Sequence, residues 1–547
     1  MIITATINEK SFGDKILFKE TSFFVEDGEK VGLIGRNGEG KTTMFRIIAG
    51  EDPDFQGEIQ LGKGVHMIAT RQEHHGFEDV SVLEYILQDL PKYAKLKHML
   101  ENHPLIMGDN MKLINEYSEA LEQFDALGYY TIENEVEKVL DSFQLGSRIN
   151  DKLGELSGGQ KRLIEVAKVM LSNTQLALID EPTNHMDYIA KDKFLQWMSS
   201  TNDSMIVISH DRDVLDKVDR ILEVKDQKIL SYKGNYGDYL RQNSSSTGSM
   251  MNEYELTQRR IVNLKAKIIE YQRFKEKSRH PSTIQRFKRL EQTSRDELAK
   301  LEKTEKPTFW VDRESVQDMG LKTGEQYQKF KAKNIRLSGV TGEEGFSRLL
   351  VNVSKLSLGY DKPLFDDVSF QIREGEIVEV RGRNGAGKTT LIKTLLSTIK
   401  GNDFSAKVFD GIIDVDKKIR VGVYEQETSS ELLKKTLADA IEHIFLSRGL
   451  KVGETKVRQL MADYLFTQGD ANIPVSQLSG GQKARLQLID MLADSPSLLV
   501  LDEPTNHLDL PSIEELENAL NSYSGAILYI SHDTHFQKQL GGEVIQL

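Results

Sequence analysis

The sequence predicts an α/β protein with two domains of the same kind in tandem, joined by an antiparallel α-helical hairpin and with a small helical arm inserted in the first domain. Three observations predict this. The same series of short motifs occurs twice in the same order. Short, continuous apolar runs typical of buried parallel strands accompany each series. A segment of different, basic composition lies between the two series.

Length and composition limit the possible classes of protein. A chain of 547 residues is too long for a single hydrophobic core. The absence of cysteine excludes disulfides and thiolate metal sites. The net charge of −13 argues against overall attraction to nucleic acid, although a local basic patch remains possible. With no signal peptide and no run of about 18 apolar residues, we expect a cytoplasmic protein without a membrane partner.

The spacing of the repeated motifs locates an insertion. Lys41 and Lys388 lie 347 positions apart, whereas the later pairs, such as Gln160 and Gln482, lie 322 apart. The first copy therefore has 25 extra residues after its lysine. We predict an arm over about 88–127, with helical pieces at 93–100 and 111–127. It is either a plain surface insertion or an arm that contacts a partner.

The segment between the copies has its own character. We predict a first domain over 1–243, a linker over 244–348 and a second domain over 349–547. Ser244 to Ser249 suggests a loose joint, and residues 259–303 contain 14 Lys or Arg against 6 Asp or Glu. Apolar residues at helical spacing on both sides of Pro281 predict two antiparallel helices of about 40 Å or less, with a tip near 279–283.

Each copy contains a glycine-rich loop of the phosphate-binding type, with four residues between its glycines and then Gly-Lys-Thr. Backbone N–H groups in such a loop cradle phosphates, the lysine reaches the β- and γ-phosphates, and the first threonine holds Mg²⁺. The predicted ATP-binding residues are Gly35, Asn37, Gly38, Gly40, Lys41, Thr42 and Thr43 in the first copy, and Gly382, Asn384, Gly385, Gly387, Lys388, Thr389 and Thr390 in the second.

Two adjacent carboxylates follow in each copy. Asp180 and Asp502 end predicted buried strands, where a carboxylate is costly unless it meets a cation, so we predict that they bind Mg²⁺. Glu181 and Glu503 come next. Strand alternation would turn them away from the aspartates, and each could act as general base for the attacking water. The alternative is a paired surface glutamate.

A histidine and a glutamine complete each predicted site. His210 and His532 follow the next apolar strand and could hold the γ-phosphate and the glutamate in line, although a histidine at a strand end is often structural. Gln72 and Gln426 follow short, variable runs and could touch metal and water. The predicted catalytic residues are therefore the two glutamates and the two histidines.

The run Leu-Ser-Gly-Gly-Gln, present at 156–160 and 478–482, is similar to the signature of ABC-type ATPases. The resemblance implies that Ser157, Gly158 and Gly159 serve the nucleotide held by Lys388. It implies likewise that Ser479, Gly480 and Gly481 serve the nucleotide held by Lys41. By the same resemblance Phe12 and Tyr360 lie against adenine, with plain core as the alternative for Phe12.

Two further motifs resemble those of the ABC-F proteins, which are soluble tandem ATPases that act on the ribosome. They are Glu-Pro-Thr-Asn-His, at 181–185 and 503–507, and Tyr-Lys-Gly-Asn-Tyr, at 232–236. Met186 and Arg71 depart from the usual pattern, which has leucine and proline there. The resemblance covers nearly the whole chain. It implies a monomer whose domains close on ATP and Mg²⁺, bound in the ribosomal E site with its hairpin toward P-site tRNA and the peptidyl-transferase centre.

The short hairpin tip favours a translation factor over protection from antibiotics, and both stay open. An alternative is the ATPase subunit of a membrane ABC transporter, and a DNA-maintenance ATPase fits poorly because such proteins have far longer coiled coils. Lysine and arginine near the tip suit contact with rRNA and tRNA phosphates. A solvated helix face is the alternative. The candidates are Arg273, Lys275, Lys277, Arg279, Arg286, Lys288 and Arg289.

Overall fold

The computed structural model describes residues 1–547 except 14, 72–73, 109, 173, 185, 278–280, 302–347, 403–404, 425–428, 465, 479 and 507. Gln72, Gln426, Ser479 and Arg279 therefore lie outside the described residues, as does most of the predicted linker beyond the hairpin. The described chain forms two compact units. One contains residues 1–236 and 348–547, and the other contains 237–301.

The first half of the larger unit alternates strands and helices. Its strands are β1 (Ile3–Phe12), β2 (Lys15–Val25), β3 (Lys30–Gly35), β4 (Gln56–Leu61), β5 (Met67–Ala69), β6 (Leu176–Asp180), β7 (Ser204–Ile208), β8 (Arg220–Lys225) and β9 (Lys228–Lys233). Its helices are α1 (Lys41–Ile48), α2 (Val82–Gln88), α3 (Tyr93–Ile106), α4 (Met111–Ala126), α5 (Ile132–Ser142), α6 (Gly158–Leu171), α7 (Tyr188–Ser200) and α8 (Arg212–Leu215).

These strands form two sheets. The main sheet has the order β5-β6-β7-β3-β8-β9, and it is parallel except for the pairing of β9 with β8. An antiparallel sheet of order β2-β1-β4 packs its apolar residues with α1 and the main sheet in one core. Every residue of β6 and β7 is buried, which explains their continuous apolar sequences.

The arm consists of α3 and α4, which pack against each other. Helix α3 runs through Pro104 to Ile106, six residues beyond the predicted helical piece. Proline removes a backbone hydrogen bond and its ring crowds the preceding turn, and the helix ends two residues after Pro104. Tyr93 and Phe124, with Tyr129 just beyond the arm, make aromatic contacts that join the two helices to the domain.

The smaller unit is a helical hairpin of α9 (Tyr236–Lys277) and α10 (Pro281–Leu301). Its helices are antiparallel, since Arg260 pairs with Glu297 and Phe274 stacks on Phe287 near the tip. Two predictions are wrong. Residues 244–249 lie inside α9 rather than in a joint, and α9 has 42 residues, which corresponds to roughly 63 Å rather than 40 Å. Serine and threonine are only weakly unfavourable inside a helix that continues on both sides.

The second half repeats the first. Its strands are β10 (Leu349–Gly359), β11 (Pro363–Arg373), β12 (Ile377–Arg381), β13 (Lys407–Val415), β14 (Val421–Tyr424), β15 (Leu498–Asp502), β16 (Ala526–Ile530) and β17 (Glu543–Gln546). Its helices are α11 (Lys388–Lys400), α12 (Ser430–Leu433), α13 (Leu437–Ser447), α14 (Glu454–Asp463), α15 (Gly480–Leu492), α16 (Leu510–Asn521) and α17 (Thr534–Leu540). Its sheets have the orders β14-β15-β16-β12-β17 and β11-β10-β13. The predicted tandem α/β architecture is confirmed.

Equivalent β-bridges give the register between the halves. Ser81 pairs with Lys152, 71 positions later, whereas Thr436 pairs with Pro474, only 38 positions later. The first half is thus 33 residues longer here, which is the arm with its connections. The second half is 8 residues longer before this bridge, so the net excess is the 25 residues that the motif spacing gives. No helix in the described part of the chain is long and apolar enough to cross a membrane.

Candidate functional site

Each glycine-rich loop links a buried strand to a helix that begins at its lysine. Gly40 and Gly387 precede α1 and α11 with φ of 103° and 96°, in the left-handed region that only glycine adopts easily. A Cβ at either position would also lie 3.0 Å from the ring of Phe18 or Phe365. These positions therefore require glycine for both the backbone turn and the close approach of the loop to the sheet.

The two lysines are held inside their loops. The Lys41 ammonium donates to the carbonyls of Gly35 at 2.7 Å and Arg36 at 3.3 Å. Lys388 donates to the carbonyls of Gly382 at 2.8 Å and Arg383 at 3.1 Å. Burial lowers the pKa of both ammonium groups. A desolvated cation in a glycine-rich loop at the start of a helix is suited to hold a phosphate chain.

Each loop also brings a hydroxyl to a carboxylate. The Thr42 Oγ1 lies 3.5 Å from Asp180 Oδ2, and the Thr389 hydroxyl is hydrogen-bonded to Asp502. Hydroxyl and carboxylate oxygens are ligands that Mg²⁺ accepts, and it commonly binds through one or two protein ligands together with substrate phosphates. Within the described ranges no group of three acidic, histidine or cysteine side chains could form a separate metal site. The donor set therefore fits a magnesium ion that is shared with a phosphate chain.

The predicted catalytic glutamates face the predicted histidines. Glu181 Oε1 lies 3.4 Å from His210 Nε2, and Glu503 Oε1 lies 3.3 Å from His532 Nε2. Both glutamates have φ of 48°, and their N–H groups still bond to the neighbouring strand, at the carbonyls of Ile208 and Ile530. The predicted strand alternation is therefore not what orients them. A left-handed turn at the strand end does so, a strained conformation that is common at active sites.

The environment shifts the acidity of these groups. Burial and the charge of Asp180 raise the pKa of Glu181 to about 8, and burial and the charge of Asp502 raise that of Glu503 to about 7. Burial and the charge of Lys41 lower the pKa of His210 to about 3. A carboxyl with a pKa near the working pH is suited to accept a proton from water, and a neutral imidazole can orient it.

A cavity of about 760 Å³ contains much of this chemistry and is lined by both halves. Phe12, Lys41 and Glu181 come from the first half, and Glu503 and His532 from the second. The cavity is large enough for a small-molecule ligand such as a nucleotide. The two halves therefore face each other at the site.

Two aspartates outside the predicted site residues make contacts between the halves. Asp509 accepts a hydrogen bond from the N–H of Asn37 at 3.1 Å, and Asp187 accepts one from the N–H of Asn384 at 3.3 Å. Each also caps a helix of its own half, α16 or α7. An aspartate before a helical pattern is a readable capping signal, but its contact across the halves is not.

The signature segments begin helices. Ser157 caps α6 in a capping box with Gln160, whose side chain in turn accepts from the Ser157 N–H at 2.9 Å. Gly158 and Gly159 form the first turn of α6, and Gly480 and Gly481 the first turn of α15. Their contact with a nucleotide of the opposite half stays a prediction.

The predicted adenine contacts are accessible. Phe12 is 76% exposed and lines the cavity beside Leu17, so the alternative that it is plain core is wrong. Tyr360 is 43% exposed. Both rings are therefore accessible to a ligand.

On the hairpin, four of the predicted RNA contacts, Arg273, Arg286, Lys288 and Arg289, are exposed. Lys275 and Lys277 belong to α9, but their side chains lie outside the described structure.

Comparison with known proteins supports this chemistry. A family model described as ABC transporter matches residues 18–184 and 365–506, and a second model with the same description matches 222–317. The ATP-binding protein YdiF of Bacillus subtilis (strain 168) is 31% identical over 100% of this chain and 80% of its own length. The solved structure of the RNase-L Inhibitor has a TM-score of 0.57 at 15% identity, covering 99% of this chain and 87% of its own.

Two further relatives have names that concern translation. The energy-dependent translational throttle protein EttA of Mycobacterium tuberculosis (strain ATCC 25618 / H37Rv) is 29% identical over 96% of this chain and 88% of its own. The ribosome protection protein VmlR of Bacillus subtilis (strain 168) is 28% identical over 98% of this chain and 84% of its own. With both phosphate loops, both signatures and matches that span the chain, this protein is an ATPase that belongs to the ABC family, in its F branch.

Proposed function

We propose that the protein binds two Mg²⁺-ATP between its halves, binds the ribosome in that state, and modulates translation. Thr42 with Asp180 and Thr389 with Asp502 would hold the magnesium ions, which neutralise phosphate charge when bound. Gln72 and Gln426 are proposed as further contacts to metal and water. Glu181 and Glu503 would each accept the proton of the attacking water, with His210 and His532 orienting them.

The proposal extends to the place of binding. The E site of the ribosome would receive the protein, with the hairpin directed toward P-site tRNA and the peptidyl-transferase centre. The proposed contact between the hairpin and RNA is supported by one observation. Exposed basic residues lie near the end of the hairpin, although the net charge of the chain is −13. Exposed arginine and lysine bind folded RNA through its phosphates, so a local basic surface is sufficient.

Sedimentation with ribosomes tests the proposal. The variant E181Q/E503Q should bind ATP without turning it over, and it should co-sediment with ribosomes in ATP but not in ADP. The variant K41A/K388A, which loses the phosphate contacts, is the control that should stay in the supernatant with either nucleotide. Failure of E181Q/E503Q to co-sediment in ATP would overturn the ribosomal function.

The hairpin is tested by its charges. In the E181Q/E503Q background, R273A/R286A should weaken ribosome binding and reduce the slope of log affinity against log salt by about one per lost phosphate contact. The matched control K265A/K267A removes the same charge from the same unit, farther from the tip. Equal losses in both variants would show that the hairpin acts only through its overall charge.

The likeness to VmlR favours a second candidate, protection of ribosomes from an antibiotic. Expression in a sensitive host separates the two, because protection raises the inhibitory concentration of a ribosome-targeting drug. A change in protein synthesis without any change in drug sensitivity would favour the translation factor. Transport that survives deletion of the arm and hairpin would instead support the ATPase subunit of a membrane transporter.

A further inference from the structure

A largely buried polar cluster lies where the segment after β5 meets α2 and α6 of the first half. We call it the Glu165 cluster, and it consists of Arg71, His74, Tyr85, Asp89, Glu165 and Lys168. Glu165 and Lys168 are fully buried on the helix that follows the first signature. Buried charges are costly to desolvate, so a set that is present in one half and differs in the other calls for an explanation.

Glu165 is the centre of the cluster. One carboxylate oxygen accepts the backbone N–H of Arg71 at 2.8 Å and lies 2.7 Å from the Lys168 ammonium. The other accepts the Tyr85 hydroxyl and lies 2.9 Å from His74 Nε2. Burial alone would raise its pKa, but these neighbours hold the pKa of Glu165 at about 2. The side chain is therefore a fully hydrogen-bonded anion at neutral pH.

The cluster joins three parts of the first half. Asp89 lies directly after α2, at the start of the arm, and pairs with Arg71 at 2.8 Å and with Lys168 at 3.1 Å. Tyr85 lies on α2 and accepts from Arg71 at 3.1 Å. The signature helix α6, the base of the arm and the segment after β5 are thus held by one set of charge-assisted bonds.

That segment after β5 leads into the ATP site. Thr70 donates its N–H to Leu178 O at 2.9 Å, and its hydroxyl accepts the N–H of Asp180 at 3.0 Å. The next N–H, that of Arg71, is the one that Glu165 accepts. Residue 72, the predicted metal and water contact, is bonded directly to Arg71. Glu165 therefore fixes the backbone one peptide unit from the position that is predicted to contact metal and water.

The second half has a different set of residues at these places. The offset of 322 places Gln487 and Asp490 at the positions of Glu165 and Lys168. The register of the bridges Ser81–Lys152 and Thr436–Pro474 places Ala440 at the position of Tyr85. It places Ile444 at that of Asp89, and both residues are buried in an apolar core.

We propose that Glu165 is a positioning residue for ATP hydrolysis in the first half, where it fixes the segment at 70–71 and ties it to the signature helix and the base of the arm. ATP hydrolysis in the second half, which has Gln487 at the equivalent position, does not depend on such a cluster of charges. The two ATP sites are thus supported differently although their motifs are the same.

Turnover at one site at a time tests this. In the E503Q background, where hydrolysis reports on the first half, E165Q should lower kcat by about 10-fold or more with little change in KM, as loss of a supporting contact does. In the E181Q background, where hydrolysis reports on the second half, the same substitution should change kcat by less than about twofold, because the signature residues at the start of α6 are held by the capping box of Ser157 and Gln160, which does not involve Glu165. A merely structural role would change both backgrounds alike.

Further variants guard against misfolding. Y85F removes the hydroxyl that bonds Glu165 and Arg71 but leaves all charges, and it should cause a smaller loss of kcat that is still confined to the E503Q background. D490N, at the equivalent of Lys168 in the second half, is the matched control and should leave kcat unchanged in both backgrounds. Thermal unfolding identifies variants that fold. A folded E165Q or Y85F with equal kcat losses in the two backgrounds, or with no loss in the E503Q background, would overturn the proposal.

Discussion

The two ATPase halves have the same motifs and the same order of five parallel strands in the main sheet, but different residues support those motifs. In the first half the signature helix makes ion pairs through the buried side chains of Glu165 and Lys168. At the equivalent place in the second half, Ala440 and Ile444 pack in an apolar core. The arm begins at this same place in the first half only. Repetition of the groups that touch ATP therefore does not imply repetition of the residues that position them.

The difference also separates two kinds of packing. An apolar core stabilises by burial and tolerates small shifts, whereas a buried ionic cluster has directional bonds that hold one arrangement. The charged cluster lies where an inserted element, the ATP site and the signature helix meet. We expect substitutions to reveal what the two halves share and where they differ, in ATP hydrolysis, in stability and in contact with the adenine base.

The largest effect concerns the chemistry that the halves share. E181Q/E503Q should hydrolyse ATP about 100- to 10,000-fold more slowly than the wild-type protein because both general bases are lost. Each single variant should keep part of the activity. Steady-state phosphate release measures this. A double variant with the wild-type rate would show that neither glutamate is the base.

The next effect tests the packing difference. K168M should lower the free energy of unfolding by about 3 kcal/mol because it leaves Glu165 as a buried anion without its lysine. E165Q/K168M removes both charges and should lose less. Urea denaturation measures each value. D490N breaks the half-exposed Arg448–Asp490 pair of the second half and should lower the free energy of unfolding by less than about 1 kcal/mol. A loss as large as that of K168M would contradict the difference in packing between the two halves.

A pH effect should follow from the same carboxylate. The folded pKa of Glu165, about 2, lies below its ordinary value of 4.5. Its stabilisation is therefore fully present above about pH 4.5 and is lost as the pH falls toward 2, with a magnitude of roughly 3 kcal/mol. The difference in unfolding free energy between the wild type and E165Q should be larger at pH 6 than at pH 3. A constant difference would contradict this.

The smallest effect concerns the base contact of each half. F12A and Y360A should each weaken ATP binding by about 1 kcal/mol, or roughly fivefold, because each loses one stacking face. Titration of E181Q/E503Q with a fluorescent ATP analogue measures the affinities. F24A, another partly exposed phenylalanine that lies on β2, is a control and should not change them. Unchanged ATP affinity in F12A would show that Phe12 does not contact adenine.

Much of the ATP site can be predicted because its signals are contiguous in sequence. Glycine loops, buried strand runs and the residues after them are set by local backbone geometry, so the sequence alone identifies Lys41, Glu181 and His210. Motif spacing alone locates the arm. The 42-residue helix α9 escapes such prediction, since a serine run has the composition of a linker and only its continuation on both sides makes it helical.

By itself, then, the sequence determined the repeated α/β architecture, the chemistry of the phosphate loops and the basic hairpin, because each depends on residues close together in the chain. The tertiary structure alone decided that Asp187 and Asp509 bond to the opposite loops, and that Arg71, Tyr85 and Glu165 meet. Those contacts join residues that only the folded sheet and helices bring together, and no local pattern records which buried charge will face which backbone N–H.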